Sequence, residues 1–165
     1  MSIQYVSQTH LDASAAIKLV LDEPGSDHVR KYFTDRGGFY ITGLCLAEAL
    51  GVLKRKKLRG GLSGHQYFGK CYLLLAYLRE HRINLDDIQI SSVETFLKAE
   101  DIARRHNLDL SDSLQIVSVK YGRFCSFVQE SKTVLATADR DLESAARMEG
   151  LRVWNCEDSE EPPPQ

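Results

Sequence analysis

The stretch that decides the fold is Leu11-Asp12-Ala13-Ser14-Ala15-Ala16-Ile17-Lys18-Leu19-Val20-Leu21. It predicts the exit of a first strand that runs directly into a helix. The preceding run, Ile3-Gln4-Tyr5-Val6, has the β-branched and aromatic residues of that strand, and the residues after Asp12 are apolar at helical spacing. An aspartate at such a junction is a preferred helix N-cap. Because ligands of parallel α/β sheets collect at the carboxyl ends of strands, Asp12 is either a cap or part of a site.

The composition indicates a single globular domain. The chain has 165 residues, of which 43% are hydrophobic and 27% charged, and its formal net charge is −2. No global field therefore draws the protein onto nucleic acid or an anionic membrane. This disfavours a purely electrostatic binding module, but not a nuclease whose phosphate contacts are local or metal-mediated.

Several classes of protein are disfavoured by missing signals. The longest apolar run, from Cys71 to Leu78, is far shorter than the ~20 residues of a membrane-spanning helix. The N-terminus has neither the basic nor the apolar region of a signal peptide, so we expect a cytoplasmic protein. The four cysteines are scattered, which is typical of reduced thiols in a core or at its boundary. There is no zinc-ligand spacing, no P-loop and no dinucleotide-binding glycine motif.

Strand and helix patterns alternate along the chain, which predicts an α/β fold. We expect a three-layer α/β/α sandwich with a central parallel sheet. The domain should span residues 1–156, followed by an acidic, proline-rich disordered tail at 157–165, and residues 123–132 should form a loop. Further strands are predicted at 39–42, 88–90, 133–137 and 151–154, and helices at 26–35, 44–59, 63–82, 92–105, 112–121 and 140–149.

This topology brings four carboxylates to one edge of the sheet. Asp12 follows the first strand and Asp139 follows the fourth. Glu48 lies near the start of the helix after the second strand. Asp112 opens the helix that feeds the fourth strand, and because that helix runs antiparallel to the strand, its N-terminus lies at the same edge.

Each of the three aspartates also has an ordinary interpretation as a helix cap. Glu48 is harder to explain in this way, since it is the only charged residue between Leu44 and Leu53 and a buried carboxylate needs a cation or donors. Four acids at one edge repel each other unless they are neutralised. Oxygen ligands of this kind favour Mg²⁺ or Mn²⁺.

Four short motifs occur in an order that resembles a known family. They are Asp12-Ala13-Ser14, Leu46-Ala47-Glu48-Ala49-Leu50, Leu110-Ser111-Asp112-Ser113-Leu114 and Thr137-Ala138-Asp139-Arg140-Asp141-Leu142. Over residues 3–155 the chain resembles the PIN-domain ribonucleases of the VapC type, the toxins of toxin–antitoxin pairs. It departs from them in having Ser113 where alanine is common, and in a longer interval between Asp112 and Asp139.

The resemblance implies an Mg²⁺- or Mn²⁺-dependent endoribonuclease that hydrolyses RNA phosphodiester bonds. It also implies a homodimer and a small antitoxin protein as partners, and no membrane partner. The catalytic and metal-binding acids would be Asp12, Glu48, Asp112 and Asp139, supported by the hydroxyls of Ser14 and Thr137 and by an auxiliary acid, Asp141.

The helix that carries Glu48 continues into a basic run. Its residues Lys54, Arg55, Lys56 and Lys57 are candidates for contacts with the RNA backbone. Cations at a solvated helix end also complement the helix dipole, and both interpretations stay open. On the next helix, an apolar stripe that includes Tyr67, Cys71, Leu74, Leu75 and Leu78 is either core or a dimer contact.

Two other enzyme classes fit less well. A haloacid-dehalogenase-like phosphatase needs a second aspartate two residues after the first, where this chain has Ser14. A receiver domain needs an aspartate at the end of its third strand, and Ile88-Gln89-Ile90-Ser91 has none. The alternative from a different class is a catalytically silent PIN-like module that binds RNA or protein.

Overall fold

The structure, a computed structural model, describes residues 8–123, 125 and 133–163. This part of the chain forms five strands and seven α-helices, with two α-helices between consecutive strands except the last two, which one helix connects. The strands are β1 (Thr9–Leu11), β2 (Phe39–Ile41), β3 (Ile83–Leu85), β4 (Val134–Thr137) and β5 (Arg152–Asn155). The helices are α1 (Ala13–Ala16), which continues as a 3-10 turn, α2 (Ser26–Asp35), α3 (Gly43–Leu58), α4 (Gly64–Arg79), α5 (Val93–His106), α6 (Leu110–Tyr121) and α7 (Arg140–Met148).

All five strands are parallel, in the spatial order β3-β2-β1-β4-β5. The central strand β1 pairs with both β2 and β4, so that Thr9 lies between Phe39 and Val134. The carboxyl ends of β1 and β4 therefore lie side by side. The expected parallel sheet and the three-layer α/β/α architecture are confirmed.

Alternating strand residues divide the core into two apolar clusters. Leu11 and Trp154 pack with residues of α1 to α4 on one face of the sheet. Leu135 and Val153 pack with residues of α5 to α7 on the other. Successive strand side chains point to opposite faces, so β4 and β5 contribute apolar residues to both clusters.

One predicted strand is wrong. Residues 88–90 form no strand, and β3 is Ile83–Leu85. The Ile-Gln-Ile pattern has suitable local propensity, but Ile83 is the residue that pairs with Phe39 of β2. The helix before β3 ends at Arg79, three residues earlier than predicted, and His81 adopts a left-handed conformation with φ of 56°. This short turn lets the chain reach the sheet sooner than helical periodicity predicts.

The predictions for the two ends of the chain and for the loop before β4 are tested only in part. The predicted strand Ile3–Val6 and most of the predicted loop 123–132 lie outside the described residues, and β1 immediately precedes Asp12. Residues 157–163 of the predicted tail contact the domain, where Glu157 forms an ion pair of 2.9 Å with Lys18. The domain boundary at 156 stays a prediction. Within the described residues, no helix is long and apolar enough to cross a membrane.

Candidate active site at the carboxyl edge of the sheet

Asp12 is fixed at the junction between β1 and α1. Its backbone N–H donates to the carbonyl of Ala136 on β4 (3.0 Å), and its carboxylate caps α1. Oδ2 accepts hydrogen bonds from the Ser14 amide (3.2 Å), the Ser14 hydroxyl (2.6 Å) and the Thr137 hydroxyl (3.1 Å). The side chain is buried and held from one side, which leaves Oδ1 directed toward α3.

Ser14 and Thr137 form the support of this carboxylate. Their hydroxyl oxygens lie 3.2 Å apart, and they accept from the backbone amides of Ala138 (2.8 Å) and Asp139 (3.0 Å), respectively. Both therefore lie where the predicted supporting role requires them. The role itself stays a prediction.

Glu48 approaches Asp12 from α3. Thr42 caps this helix after β2, so the first two turns of α3 lie at the carboxyl edge of the sheet. Ligand atoms of Asp12, Cys45 and Glu48 all lie within 4.8 Å of one another. The Ser111 hydroxyl donates to Glu48 Oε1 at 2.6 Å and so fixes the second carboxylate of the site.

Asp112 joins these acids electrostatically. Burial, followed by the negative charges of Asp109, Asp12, Asp139 and Glu48, raises the pKa of Asp112 to about 7. Like charges disfavour the ionised form of a carboxyl group. Asp112 is therefore close enough to the other acids for their charges to favour its protonated form.

Asp139 caps α7 at the end of β4. Its Oδ1 accepts from the amides of Asp141 (2.8 Å) and Leu142 (3.0 Å), and its charge acts on Asp112. Asp141 is exposed in the first turn of α7. We call Asp12, Glu48, Asp112 and Asp139 the acid cluster, in which ligand atoms of Asp12 and Glu48 lie within 4.8 Å of each other.

The donor set fits a divalent cation. Within the described residues, the carboxylates of Asp12 and Glu48 accept hydrogen bonds from neutral hydroxyl, amide and thiol groups. Hard divalent cations prefer carboxylate oxygen ligands. A bound cation would also offset the repulsion between the acids that helps to raise the pKa of Asp112. Asp12 and Glu48 would hold it, with Asp112 and Asp139 nearby.

Comparison with known proteins identifies the family. Residues 10–148 match the PIN domain. The chain belongs to the PIN domain family. Two solved structures have a similar fold at low sequence identity, and no curated protein sequence matches significantly. PAE2754 from Pyrobaculum aerophilum is 20% identical, with a TM-score of 0.57 over 88% of this chain and 85% of that chain. FitAcB from Neisseria gonorrhoeae is 16% identical, with a TM-score of 0.55 over 92% of this chain and 100% of that chain.

In this PIN domain, the same aspartate can cap a helix and also belong to the acid cluster. Asp12 and Asp139 are N-caps, as their ordinary interpretation predicts, and they also lie at the acid cluster. Asp112 is not a cap, because α6 begins two residues earlier than predicted and Asp109 caps it by accepting from the Asp112 amide at 2.8 Å. The Asp112 carboxyl group is thereby left for the site.

The basic run continues α3 as predicted, but its side chains differ in their contacts. Lys56 forms an ion pair of 2.7 Å with Glu23. Lys57 lies over the rings of Tyr67 and Phe68, at 5.2 and 5.5 Å from their centroids. Lys54 and Arg55 are exposed. Arg55 is seven residues after Glu48, which places it on the same helix face, about 10 Å along the axis.

Sequence reasoning missed three residues at the site. Scattered cysteines indicate only core or boundary thiols, yet Cys45 lies three residues before Glu48 and so on the same helix face. Ser111 belongs to the third motif, and its hydroxyl donates to Glu48. Asp109 caps α6, and an aspartate three residues before Asp112 is a helix N-terminus signal.

Proposed function

We propose that this PIN domain is an Mg²⁺- or Mn²⁺-dependent endoribonuclease that hydrolyses RNA phosphodiester bonds. The observation that carries the proposal is the convergence of Asp12 and Glu48, ligand atoms within 4.8 Å, beside an Asp112 whose pKa is raised to about 7. Carboxyl groups with strongly shifted pKa values cluster at functional sites, so this concentration of like charges favours a functional role over a structural one.

The protein's own groups have distinct tasks in this proposal. A bound cation would polarise the phosphodiester and acidify the attacking water. Ser14 and Thr137 hold the Asp12 carboxylate in one orientation, and Ser111 does the same for Glu48. Asp112 carries a carboxyl group whose pKa of about 7 suits proton transfer near neutral pH.

The test is cleavage of a labelled RNA by purified protein with Mg²⁺, with Mn²⁺ and with EDTA. Cleavage should require the metal and be lost in Asp12→Asn and Glu48→Gln. Asp101→Asn is the matched control, because Asp101 is an exposed acid that pairs with Arg105 on α5. Equal cleavage in EDTA would overturn the metal mechanism. Metal and RNA binding without cleavage would support the silent binding module instead.

The proposed biological role is that of a VapC-type toxin with a small antitoxin partner, acting on cytoplasmic RNA. It is supported by the order of the four acidic motifs within a chain that belongs to the PIN domain family. Expression of the chain in a bacterial host should arrest growth, and expression of Asp12→Asn at the same level should not. Equal growth in the two cases would overturn the toxin role. It would not bear on the nuclease activity, which the in vitro cleavage assay tests separately.

A further inference from the structure

Cys45 is buried beside Asp12 and Glu48, with ligand atoms of all three within 4.8 Å of one another. Its side chain is fully inaccessible, and its sulfur lies 3.6 Å from Asp12 Oδ1, to which the thiol donates. Three groups of the Ser14–Thr137 support bind the other oxygen, Oδ2. Asp12 Oδ1, the oxygen that this support leaves open, is thus in contact with the Cys45 sulfur.

We infer that Cys45 is a third protein ligand for a thiophilic divalent cation, so that the site takes Zn²⁺ with Asp12, Cys45 and Glu48. This inference rests on the metal-binding part of the proposed function and adds a competing, inhibitory cation at the same position. Zn²⁺ accepts thiolate and carboxylate ligands together, whereas Mg²⁺ prefers oxygen.

The spacing of the ligand atoms suits this ion. Zinc–sulfur and zinc–oxygen bonds of about 2.3 and 2.1 Å at a tetrahedral ion place the two ligand atoms about 3.6 Å apart. The observed distance between Cys45 Sγ and Asp12 Oδ1 is 3.6 Å. Glu48 offers an oxygen within 4.8 Å of both, on a longer side chain that can close the remaining distance.

Binding exchanges one bond for another at sulfur. The S–H bond of Cys45 breaks, a sulfur–zinc bond forms from the thiol's electron pair, and the proton leaves to solvent. No oxidant or reductant takes part. Burial and the negative charge of Asp12 raise the pKa of the Cys45 thiol well above its usual range, and hydrogen bonds from the Thr42 hydroxyl and the Ala13 amide only partly oppose this. The thiol therefore loses its proton only when a cation binds, because a coordinating thiol is deprotonated by the metal. Zn²⁺ held by three protein ligands should exclude Mg²⁺ or Mn²⁺ from the same position and inhibit cleavage.

The test uses Co²⁺ as a spectroscopic substitute for Zn²⁺ in the full-length, reduced protein without RNA. Co²⁺ should produce a sulfur-to-cobalt charge-transfer band that Zn²⁺ abolishes. Cys45→Ser should lack the band, whereas Cys71→Ser and Cys156→Ser should keep it. In calorimetric titrations, Cys45→Ser should lose more than about tenfold in Zn²⁺ affinity, since even residues outside the first shell typically cost that much, and should retain Mn²⁺ affinity within about threefold.

The outcomes separate this inference from the proposed function. Mn²⁺ binding without a cobalt–sulfur band, or equal Zn²⁺ affinity in wild type and Cys45→Ser, would overturn the role of Cys45 alone. Failure of folded protein to bind any divalent cation would overturn the metal site as a whole. Circular dichroism checks that the serine variant folds, and Cys45→Ala, which buries no added hydroxyl, repeats the titration if it does not.

Discussion

The Thr137 hydroxyl, at the end of β4, donates a 3.1 Å hydrogen bond to the Asp12 carboxylate at the end of β1. The bond joins two neighbouring strand ends that lie 125 residues apart in the chain. The same hydroxyl accepts from the Asp139 amide at 3.0 Å. One side chain thus connects the backbone before α7 with the buried acid before α1, and the position of both acids depends on it.

Replacing Thr137 should separate its polar role from its shape. Thr137→Val keeps the volume but leaves an Asp12 oxygen without one donor. We expect a loss of about 1 kcal/mol in stability and of about tenfold in Mn²⁺ affinity. Chemical denaturation and calorimetry measure the two effects. Thr137→Ser retains the hydroxyl and should restore most of the affinity. A valine variant with unchanged affinity would show that Ser14 alone is sufficient to orient Asp12.

Arg55 should contribute more to RNA binding than its basic neighbours. It is exposed on the same face of α3 as Glu48, whereas Lys56 is paired with Glu23 at 2.7 Å. Arg55→Gln should reduce the slope of log affinity against log salt by about 0.7 per lost phosphate contact to single-stranded RNA. Lys56→Gln is the matched control and should change the slope less. Equal slopes for wild type and Arg55→Gln would mean that Arg55 does not contact the RNA backbone and that the basic run is a solvated helix end.

The residues at this edge show what the sequence alone can predict. The order of strands and helices placed Asp12 and Glu48 together, because a parallel sheet gathers its strand ends whatever the side-chain detail. Cys45 and Ser111 were missed, since their roles arise from tertiary contacts: α3 packs against α1, and Ser111 at the start of α6 reaches Glu48. The strand predicted at 88–90 failed for a similar reason. Pairing with β2 selects Ile83, and local propensity carries no information on that register.

His10 should make the folded state sensitive to acid. It is buried in β1, and neither ring nitrogen has a hydrogen-bond partner among the described residues. Burial lowers the pKa of His10 to about 4, although the Asp87 charge acts in the opposite direction. The unfolded chain takes up this proton near pH 6.5. Stability from neutral His10 is therefore present above pH 6.5 and is lost as the pH falls toward 4.

The size of this effect follows from the two pKa values. Between pH 7 and 5 the His10 contribution to the free energy of unfolding should fall by about 2 kcal/mol. Urea denaturation of wild type and His10→Phe at both pH values measures it, because phenylalanine fills the site without titrating. If the difference between the two proteins is the same at pH 7 and pH 5, His10 does not titrate in this window.

The outer face of α4 should form the homodimer contact. Phe68 and Tyr72 are each 65% exposed, and Leu75 follows on the same face at 43%. The residues facing inward, Tyr67, Cys71, Leu74 and Leu78, pack against the core, so most of the predicted stripe is core and the opposite face is the free one. Exposed apolar patches of this kind mark interaction sites.

Light scattering at micromolar concentration tests the dimer. The wild-type protein should have twice the monomer mass, and the double substitution Phe68→Ser, Tyr72→Ser should reduce it to the monomer. Val93→Ser on α5 removes a comparably exposed apolar side chain, 74% accessible, and should leave the dimer intact. A monomeric wild type would contradict the prediction, as would a dimer that survives the double substitution.

Asp112 should make the metal-free protein less stable as the pH rises. Its folded pKa is about 7, raised by burial and by the neighbouring acids, whereas an unfolded aspartate ionises near pH 3.9. The folded state therefore holds a proton that the unfolded chain has lost, and stability declines from about pH 4 to pH 7. Over this range the effect opposes that of His10, so the two are separated only by comparing variants at each pH.

Asp112→Asn removes the ionisable group and keeps the shape of the side chain. In EDTA, the variant should gain stability relative to wild type as the pH rises, reaching about 2 kcal/mol at pH 8 after allowance for solvent screening. Adding Mn²⁺ should stabilise wild type more than the variant, because the cation needs the charge that destabilises the metal-free site. Thermal melts at pH 5 and 8, with and without Mn²⁺, measure both effects, and Asp101→Asn serves as the control. A stability difference that does not change with pH would mean that Asp112 ionises like an ordinary surface aspartate.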